Sequence, residues 1–216
     1  MAALDAEVVR RNLAEVREEV DAAAGGRPVR ILAAVKYVPV EDLGALVRAG
    51  VTLAGENRAQ DLEVKAAAHP ELEWHFIGHL QSRRVKAILP LVTLIHSVAS
   101  DSVLAQLDRH ARAGGLSPEV LVEVNVAGEP GKSGVAPGEL DAFLERAAAT
   151  PASVVGLMAM PPLAADPEDS RRWFAALREL AEARGLRELS MGTTQDFAVA
   201  AQEGATIVRI GSRLFR

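Results

Sequence analysis

The sequence predicts an α/β fold: a single (β/α)8 TIM barrel preceded by one extra N-terminal helix. The length of 216 residues suits one α/β barrel. Eight short apolar runs predict strands, and alanine-rich stretches between them predict helices. This alternation favours a parallel sheet, and eight strand-helix units are the number that closes a barrel. An open doubly wound sheet is the alternative fold.

The extra helix is predicted over residues 4–24. Apolar residues that include Val8, Val16 and Val20 lie close to one helical stripe, and Gly25-Gly26 ends the pattern. The predicted strands that follow are Arg30–Val35, Val51–Ala54, Glu73–Ile77, Leu94–Val98, Val120–Val126, Val154–Ala159, Glu188–Met191 and Thr206–Ile210. The predicted helices are Val40–Ala49, Arg58–Ala68, Gln81–Leu89, Ser100–Ala113, Pro137–Ala149 and Ser170–Gly185. We expect residues 1–216 to form one domain with short loops.

Composition excludes several classes of protein. The net charge of -5 gives no basic surface for nucleic acid or for anionic lipid. The absence of cysteine excludes disulfides, cysteine-ligated metals and a thiol nucleophile. The start MAALDAEVVRRN does not have the pattern of a signal peptide, and no apolar run reaches the roughly 20 residues of a membrane helix. We expect a cytoplasmic protein, a monomer, with no nucleic-acid or membrane partner.

Barrel enzymes and binding proteins place their chemistry at the carboxyl ends of the strands. Lys36 follows the first strand in the run ILAAVK, on the same face as Leu32 and Ala34. Partial desolvation there would lower the pKa of the lysine and favour the neutral amine that imine formation needs. The alternative is an ordinary lysine that extends into solvent.

The last two strand ends predict a phosphate site. Strand 7 runs into Gly192-Thr193-Thr194 and strand 8 into Gly211-Ser212, the two loops with which barrels commonly bind phosphate. Glycine lets backbone N–H groups approach an anion, and Thr194 and Ser212 can each donate a hydroxyl. The alternative is ordinary helix capping, since Thr-Thr-Gln-Asp also begins a helix well.

Two other sequence patterns resemble functional motifs but do not meet their requirements. Gly131-Lys132-Ser133 resembles the end of a P-loop, but Val126 occupies the position of the required first glycine. His75 and His79 are four residues apart, yet His75 lies in a predicted strand, so helical metal-ligand geometry does not apply. We expect neither an ATPase nor a metal site.

A strand-end lysine and a phosphate site together specify a phosphorylated aldehyde, and pyridoxal 5′-phosphate is the obvious ligand. The sequence also resembles the pyridoxal phosphate homeostasis protein family, whose barrel is that of fold-type III enzymes such as alanine racemase. The segments that carry this resemblance are AVKYVP, GENRAQD, WHFIGHLQSRR, VEVNVAGEPGKSGV, GLMAMPP and LSMGTTQDFAVAAQEGATIVRIGSRLF.

The resemblance implies a role for each of several residues. Lys36 would hold the cofactor as a Schiff base, and Arg209 would face the pyridine nitrogen. The other expected cofactor-binding residues are Asn57 and Met158 in the pocket and Thr194, Gly211 and Ser212 at the phosphate. Three departures stand out: Thr193-Thr194 replaces Met-Ser, Arg83-Arg84 replaces Asn-Lys, and Arg216 replaces a glycine.

The same residues bear on catalysis. An arginine at the pyridine nitrogen keeps that nitrogen unprotonated and weakens the ring as an electron sink. The sole tyrosine, Tyr37, alternates with Lys36 and should face away from the cofactor, and we expect no second domain after Arg216. We therefore expect a protein that stores, buffers or delivers pyridoxal phosphate to apo-enzymes, and not an efficient enzyme. A weak fold-type III amino-acid racemase is the alternative. Lys132 could hold a second, weaker equivalent of cofactor.

Overall fold

The computed structural model describes residues 4–216, in which eight parallel strands close into one barrel. Each strand pairs with its neighbours in chain order, and β8 returns to pair with β1. The strands are β1 Arg30–Ala34, β2 Leu53–Glu56, β3 Glu73–Phe76, β4 Leu94–Val98, β5 Glu119–Glu123, β6 Ser153–Met158, β7 Glu188–Thr193 and β8 Ile207–Ile210. The predicted (β/α)8 barrel is confirmed, and the open sheet is excluded.

The helices lie outside the barrel. They are α1 Ala6–Ala24, α2 Leu43–Arg48, α3 Ala59–Ala68, α4 Val85–Ile88, α5 Asp101–Gly114, α6 Leu140–Ala148, α7 Arg171–Glu182, α8 Phe197–Gln202 and α9 Ser212–Phe215. The extra helix α1 begins where the side chain of Asp5 accepts a hydrogen bond from the N–H of Glu7. Buried Asn12 of α1 donates to the carbonyls of Leu214 and Arg216, which holds α1 against the end of the last unit.

The strands bury side chains on both faces, as parallel strands in a barrel do. The outward side chains pack with the helices in one large apolar cluster. The inward side chains form a smaller apolar cluster of Leu32, Leu53, Leu94, Leu121, Met158 and Ile207. The barrel interior therefore contains a packed apolar core.

Two of the predicted elements differ most from the structure. The fifth strand was expected to reach Val126 but ends at Glu123, because the Asn125 side chain exchanges hydrogen bonds with the backbone of Glu129 and turns the chain. The predicted helix Gln81–Leu89 contains only four α-helical residues. It is flanked by 3₁₀ turns at Ser82–Arg84 and Leu89–Leu91, the second of which contains Pro90, which has no N–H to continue an α-helix.

Within residues 4–216, no helix is both long enough and apolar enough to span a membrane.

Candidate functional site

A cavity of about 500 Å³ opens at the carboxyl ends of the barrel strands. Its lining includes all seven residues predicted to bind the cofactor: Lys36, Asn57, Met158, Thr194, Arg209, Gly211 and Ser212. They come from five of the eight strand ends. The closed barrel therefore brings together residues up to 176 positions apart (36 to 212).

Lys36 lies in the turn after β1 and is exposed at the rim of the cavity. Its Nζ lies 4.5 Å from the centre of the Tyr37 ring, and Tyr37 itself is 76% exposed. The expectation that Lys36 is partly desolvated is therefore wrong for the protein alone. Tyr37 does not line the cavity, as expected, but strand alternation is not the reason, because β1 ends at Ala34.

Asn57 follows β2, and its backbone is in close contact with Gly78, which follows β3. A Cβ added to Gly78 would lie only 2.0 Å from the Asn57 carbonyl oxygen. The Asn57 Oδ1 is buried and has no hydrogen-bond partner among residues 4–216. Because buried polar atoms are nearly always satisfied, this oxygen fits a position that a donor on a ligand would complete.

The turns after β7 and β8 contact each other. The Thr194 Oγ1 accepts a hydrogen bond of 3.1 Å from the Gly211 N–H. Thr193 donates its N–H and its hydroxyl to Asp196 Oδ1, at 2.7 and 3.1 Å, and Gly192 has a φ of 86° that glycine adopts freely. The two predicted turns therefore form one structure, with Ser212 exposed at the start of α9.

Arg209 projects from β8 into the barrel mouth and is buried. Its Nη1 donates to Ser190 Oγ at 2.5 Å, and its Nη2 donates to the carbonyl of Ala159 at 3.1 Å. Burial lowers the pKa of Arg209 to about 10, while the negative charges of Asp196 and Glu123 act in the opposite direction. The guanidinium is therefore charged at neutral pH.

Glu123 does not form an ion pair with Arg209. No carboxylate lies within 4.0 Å of the Arg209 guanidinium in the described part of the chain. The Glu123 carboxylate lines the cavity and accepts a hydrogen bond of 2.9 Å from the Ser133 hydroxyl. The positive charge of Arg209 is thus left to face the cavity.

The comparisons with known proteins agree with this geometry. A model described as "Alanine racemase, N-terminal domain" matches residues 4–216. A pyridoxal phosphate homeostasis protein of Aquifex aeolicus is 40% identical over 203 residues, which cover 90% of this chain and 89% of that protein. A second, from Deinococcus radiodurans, is 38% identical and covers 94% of this chain and 97% of its own length. The chain belongs to the pyridoxal phosphate homeostasis protein family.

One solved structure extends the comparison to three dimensions. PipY of Synechococcus elongatus, with PLP bound, superposes with a TM-score of 0.84 at 31% identity. The match covers 96% of this chain and 100% of PipY. The family's barrel and this chain's barrel therefore agree over nearly their whole length.

The cavity is also lined by residues that the sequence analysis did not identify as part of a site, among them Ile77, Glu123 and Gln195. Glu123 could have been found, since it is two residues after the inward Leu121 once β5 is ended correctly. Asn125, which falls near the end of the predicted strand Val120–Val126, holds the Glu129 turn and does not line the cavity. Glu56 is also turned away from the cavity, towards Lys65 of α3.

The loop with Gly131-Lys132-Ser133 is not a phosphate-binding P-loop. No helix starts at Ser133, since the next turn is a 3₁₀ turn at Pro137–Glu139, and Lys132 forms an ion pair with Glu129. No cluster of three or more metal-ligating side chains occurs among residues 4–216. His75 lies inside the barrel with both ring nitrogens hydrogen-bonded, as a structural histidine does, whereas His79 is exposed at the cavity.

Proposed function

We propose that this protein binds pyridoxal 5′-phosphate at the mouth of its barrel and serves in pyridoxal phosphate homeostasis, by storing, buffering or delivering the cofactor. The observation that carries the proposal is that Lys36 and the Thr194–Gly211 turn line one cavity. Its volume of about 500 Å³ lies in the range of small-molecule sites. The names of the relatives and the PLP bound to PipY support the same ligand.

The residues present fit the groups of this cofactor. When bound, pyridoxal phosphate supplies an aldehyde that condenses with an amine and a pyridine ring that withdraws electrons. Lys36 would supply the amine as a Schiff-base partner, and Thr194, Gly211 and Ser212 would donate to the phosphate. Arg209 would donate to the ring nitrogen, and the side chains of Asn57 and Met158 would line the space between.

The electrostatics of the site favour binding over efficient catalysis. Arginine only donates hydrogen bonds, so a ring nitrogen next to Arg209 must accept and stay unprotonated. This weakens the electron withdrawal on which racemisation and related reactions depend. Storage and delivery to apo-enzymes require only reversible attachment, which the exposed amine of Lys36 permits.

One observation keeps the weak racemase as a second candidate. The Lys36 Nζ and the Tyr37 ring are in contact, 4.5 Å apart, so a lysine and a tyrosine do meet at the rim. Two-base racemisation needs its bases on opposite faces of the substrate, however, and Tyr37 does not line the cavity. We therefore favour the binding protein, and we propose that it acts as a cytoplasmic monomer in which residues 1–216 are one cofactor-binding domain.

An absorption spectrum tests the proposal. The purified protein mixed with pyridoxal phosphate should develop the visible band of the cofactor joined to an amine, and Lys36→Ala should lose that band. Lys132→Ala should keep it and lose at most a second, weaker equivalent. Borohydride reduction and peptide mapping should place the label on Lys36. A label found mainly on another lysine, or no band at all, would refute the proposed function.

A further inference from the structure

A continuous chain of hydrogen bonds crosses the barrel interior from Arg209 at the mouth to Glu73 at the start of β3. Arg209 Nη1 lies 2.5 Å from Ser190 Oγ, and Ser190 Oγ lies 2.8 Å from His96 Nδ1. His96 Nε2 lies 2.9 Å from His75 Nδ1, and His75 Nε2 lies 2.9 Å from Glu73 Oε1. Ser190 is on β7 and His96 on β4, so their bond can only pass through the interior.

The direction of donation along this chain is determined by its two ends. Arg209 can only donate, so the Ser190 oxygen accepts from it and the Ser190 proton goes to His96 Nδ1. A neutral His96 must then carry its proton on Nε2 and donate to His75 Nδ1. His75 in turn carries its proton on Nε2 and donates to the carboxylate of Glu73. Each hydrogen bond in this chain therefore has a defined donor atom and a defined acceptor atom.

The charges lie only at the two ends. His75, His96 and Ser190 are fully buried, and none of them lines the cavity. Burial lowers the pKa of His75 to about 4 and lowers that of His96 well below its usual value, so both rings are neutral at pH 7. Glu73 at the far end also accepts from the Thr93 hydroxyl and lies 3.5 Å from the guanidinium of Arg30.

We propose that Ser190, His96 and His75 are positioning residues that orient the guanidinium of Arg209 towards the ring of the bound cofactor. The inference rests on the proposed function and adds residues that do not touch the ligand. Ser190, the Ala159 carbonyl and the Met160 sulfur use three of the five N–H groups of Arg209. The Ser190 contact comes from inside the barrel, and Arg209 lines the cavity, so two N–H groups are left for a ligand.

The first test uses the protein without any ligand. Nitrogen-15 NMR of histidine-labelled protein should show His75 and His96 both neutral at pH 7, each with its proton on Nε2. In Ser190→Ala, His96 loses its donor at Nδ1, so its resonances should change while those of exposed His79 stay unchanged. A proton on Nδ1 of either buried ring would overturn the proposed chain.

The second test compares two ligands: pyridoxal phosphate and its analogue with C–H in place of the ring nitrogen. The unmodified protein should bind pyridoxal phosphate more tightly, and Ser190→Ala should reduce this preference by about threefold to tenfold, the range expected for one misplaced hydrogen bond. His75 lies two hydrogen bonds beyond Ser190, and His75→Phe should also reduce the preference for pyridoxal phosphate. Ser170→Ala, which removes a buried hydroxyl outside the chain, should leave the preference unchanged.

The outcomes separate this inference from the proposed function. If Ser190→Ala weakens the binding of both ligands equally, the hydrogen-bond chain only stabilises the barrel and the positioning role is overturned. If the unmodified protein binds both ligands equally, Arg209 does not contact the ring nitrogen, which overturns that part of the proposed function together with the inference. If neither ligand binds, the proposed function itself is refuted.

Discussion

The Lys65 ammonium of α3 lies 2.5 Å from the Glu56 carboxylate and 2.7 Å from the carbonyl oxygen of Val35. Both charged side chains are buried. Val35 immediately precedes Lys36, and Glu56 immediately precedes Asn57, so one ion pair joins the bases of two loops that line the cavity. The Glu56 carboxylate also accepts from the backbone N–H groups of Asn57 and Arg58, at 2.6 and 3.2 Å.

Lys65→Met should destabilise the protein by about 3 kcal/mol, because it leaves the Glu56 charge buried without its partner. For a chain of this size the fall in Tm should be roughly 6–12 °C. Thermal unfolding of Lys65→Met beside Lys86→Met, which changes an exposed lysine, measures the difference. Equal Tm values for the two variants would mean that the pair does not hold these loops.

The fold was predictable because each strand and helix is indicated by a pattern within a short stretch of sequence. Eight apolar runs and the helical stretches between them are visible one window at a time, and the strand ends then indicate most of the cavity. The Lys65–Glu56 pair was not predictable in this way. Lys65 was correctly placed on a helix outside the barrel, but the sequence does not show that its side chain turns inward.

The polar chain inside the barrel was hidden for a different reason. His75 and His96 lie on different strands, and the bond between His96 and Ser190 joins residues 94 positions apart. Their contact depends on barrel closure and strand register, which no short pattern specifies. The exposure of Lys36 was not predicted because alternation applies only within a strand, and β1 ends two residues earlier.

The phosphate turns yield a prediction about affinity. Changing both Thr194 and Ser212 to Ala should weaken pyridoxal phosphate binding well over tenfold, because each hydrogen bond to a charged phosphate contributes roughly 1.5–3 kcal/mol. Thr194 also accepts from the Gly211 N–H, so Thr194→Ala alone should have the larger effect of the two single changes. Titration with pyridoxal phosphate measures this, and Ser82→Ala, outside the cavity, is the control. Unchanged affinity in the double variant would place the phosphate elsewhere.

Gly78 offers a steric test of the contact with Asn57. Gly78→Ala would put a methyl group 2.0 Å from the Asn57 carbonyl oxygen, so the loop after β2 must move. We expect weaker pyridoxal phosphate binding and lower stability. Gly138→Ala is the matched control, since no atom lies within 4 Å of its added Cβ. If both variants bind like the unmodified protein, the position of the Asn57 backbone does not matter for the ligand.

The buried histidines predict how stability depends on pH. The folded-state pKa of His75 is about 4, below the value of 6.5 in the unfolded chain, so the unfolded state takes up protons first as the pH falls. The stability contribution is therefore complete above pH 6.5 and is lost progressively towards pH 4. Between pH 7 and pH 5 the free energy of unfolding should fall by about 2 kcal/mol from His75, and the lowered pKa of His96 adds to the fall.

Urea unfolding at pH 7 and pH 5 measures this slope in a window where the carboxylates remain ionised. A folded His75→Phe variant should show a smaller slope than the unmodified protein. His110→Phe, on the partly exposed face of α5, should keep the full slope. Identical slopes in all three proteins would show that His75 is not held neutral by burial.

The last prediction concerns the charge of Arg209. A carboxylate at this position would favour a protonated ring nitrogen and strengthen electron withdrawal by the bound cofactor, whereas a neutral amide of the same size would not. Arg209→Glu should therefore exchange the Cα proton of a bound L-amino acid for deuterium at least about tenfold faster than Arg209→Gln, with Lys36 as the available base. The Gln amide can donate to the Ser190 oxygen as Arg209 does, whereas the Glu carboxylate can accept the Ser190 proton only if that proton leaves His96 Nδ1. NMR in deuterated water measures the exchange, and an absorption spectrum first confirms that both variants carry the cofactor. Equal exchange rates in two folded, loaded variants would mean that Arg209 does not determine how strongly the cofactor withdraws electrons. Rapid exchange by the unmodified protein would favour the racemase instead.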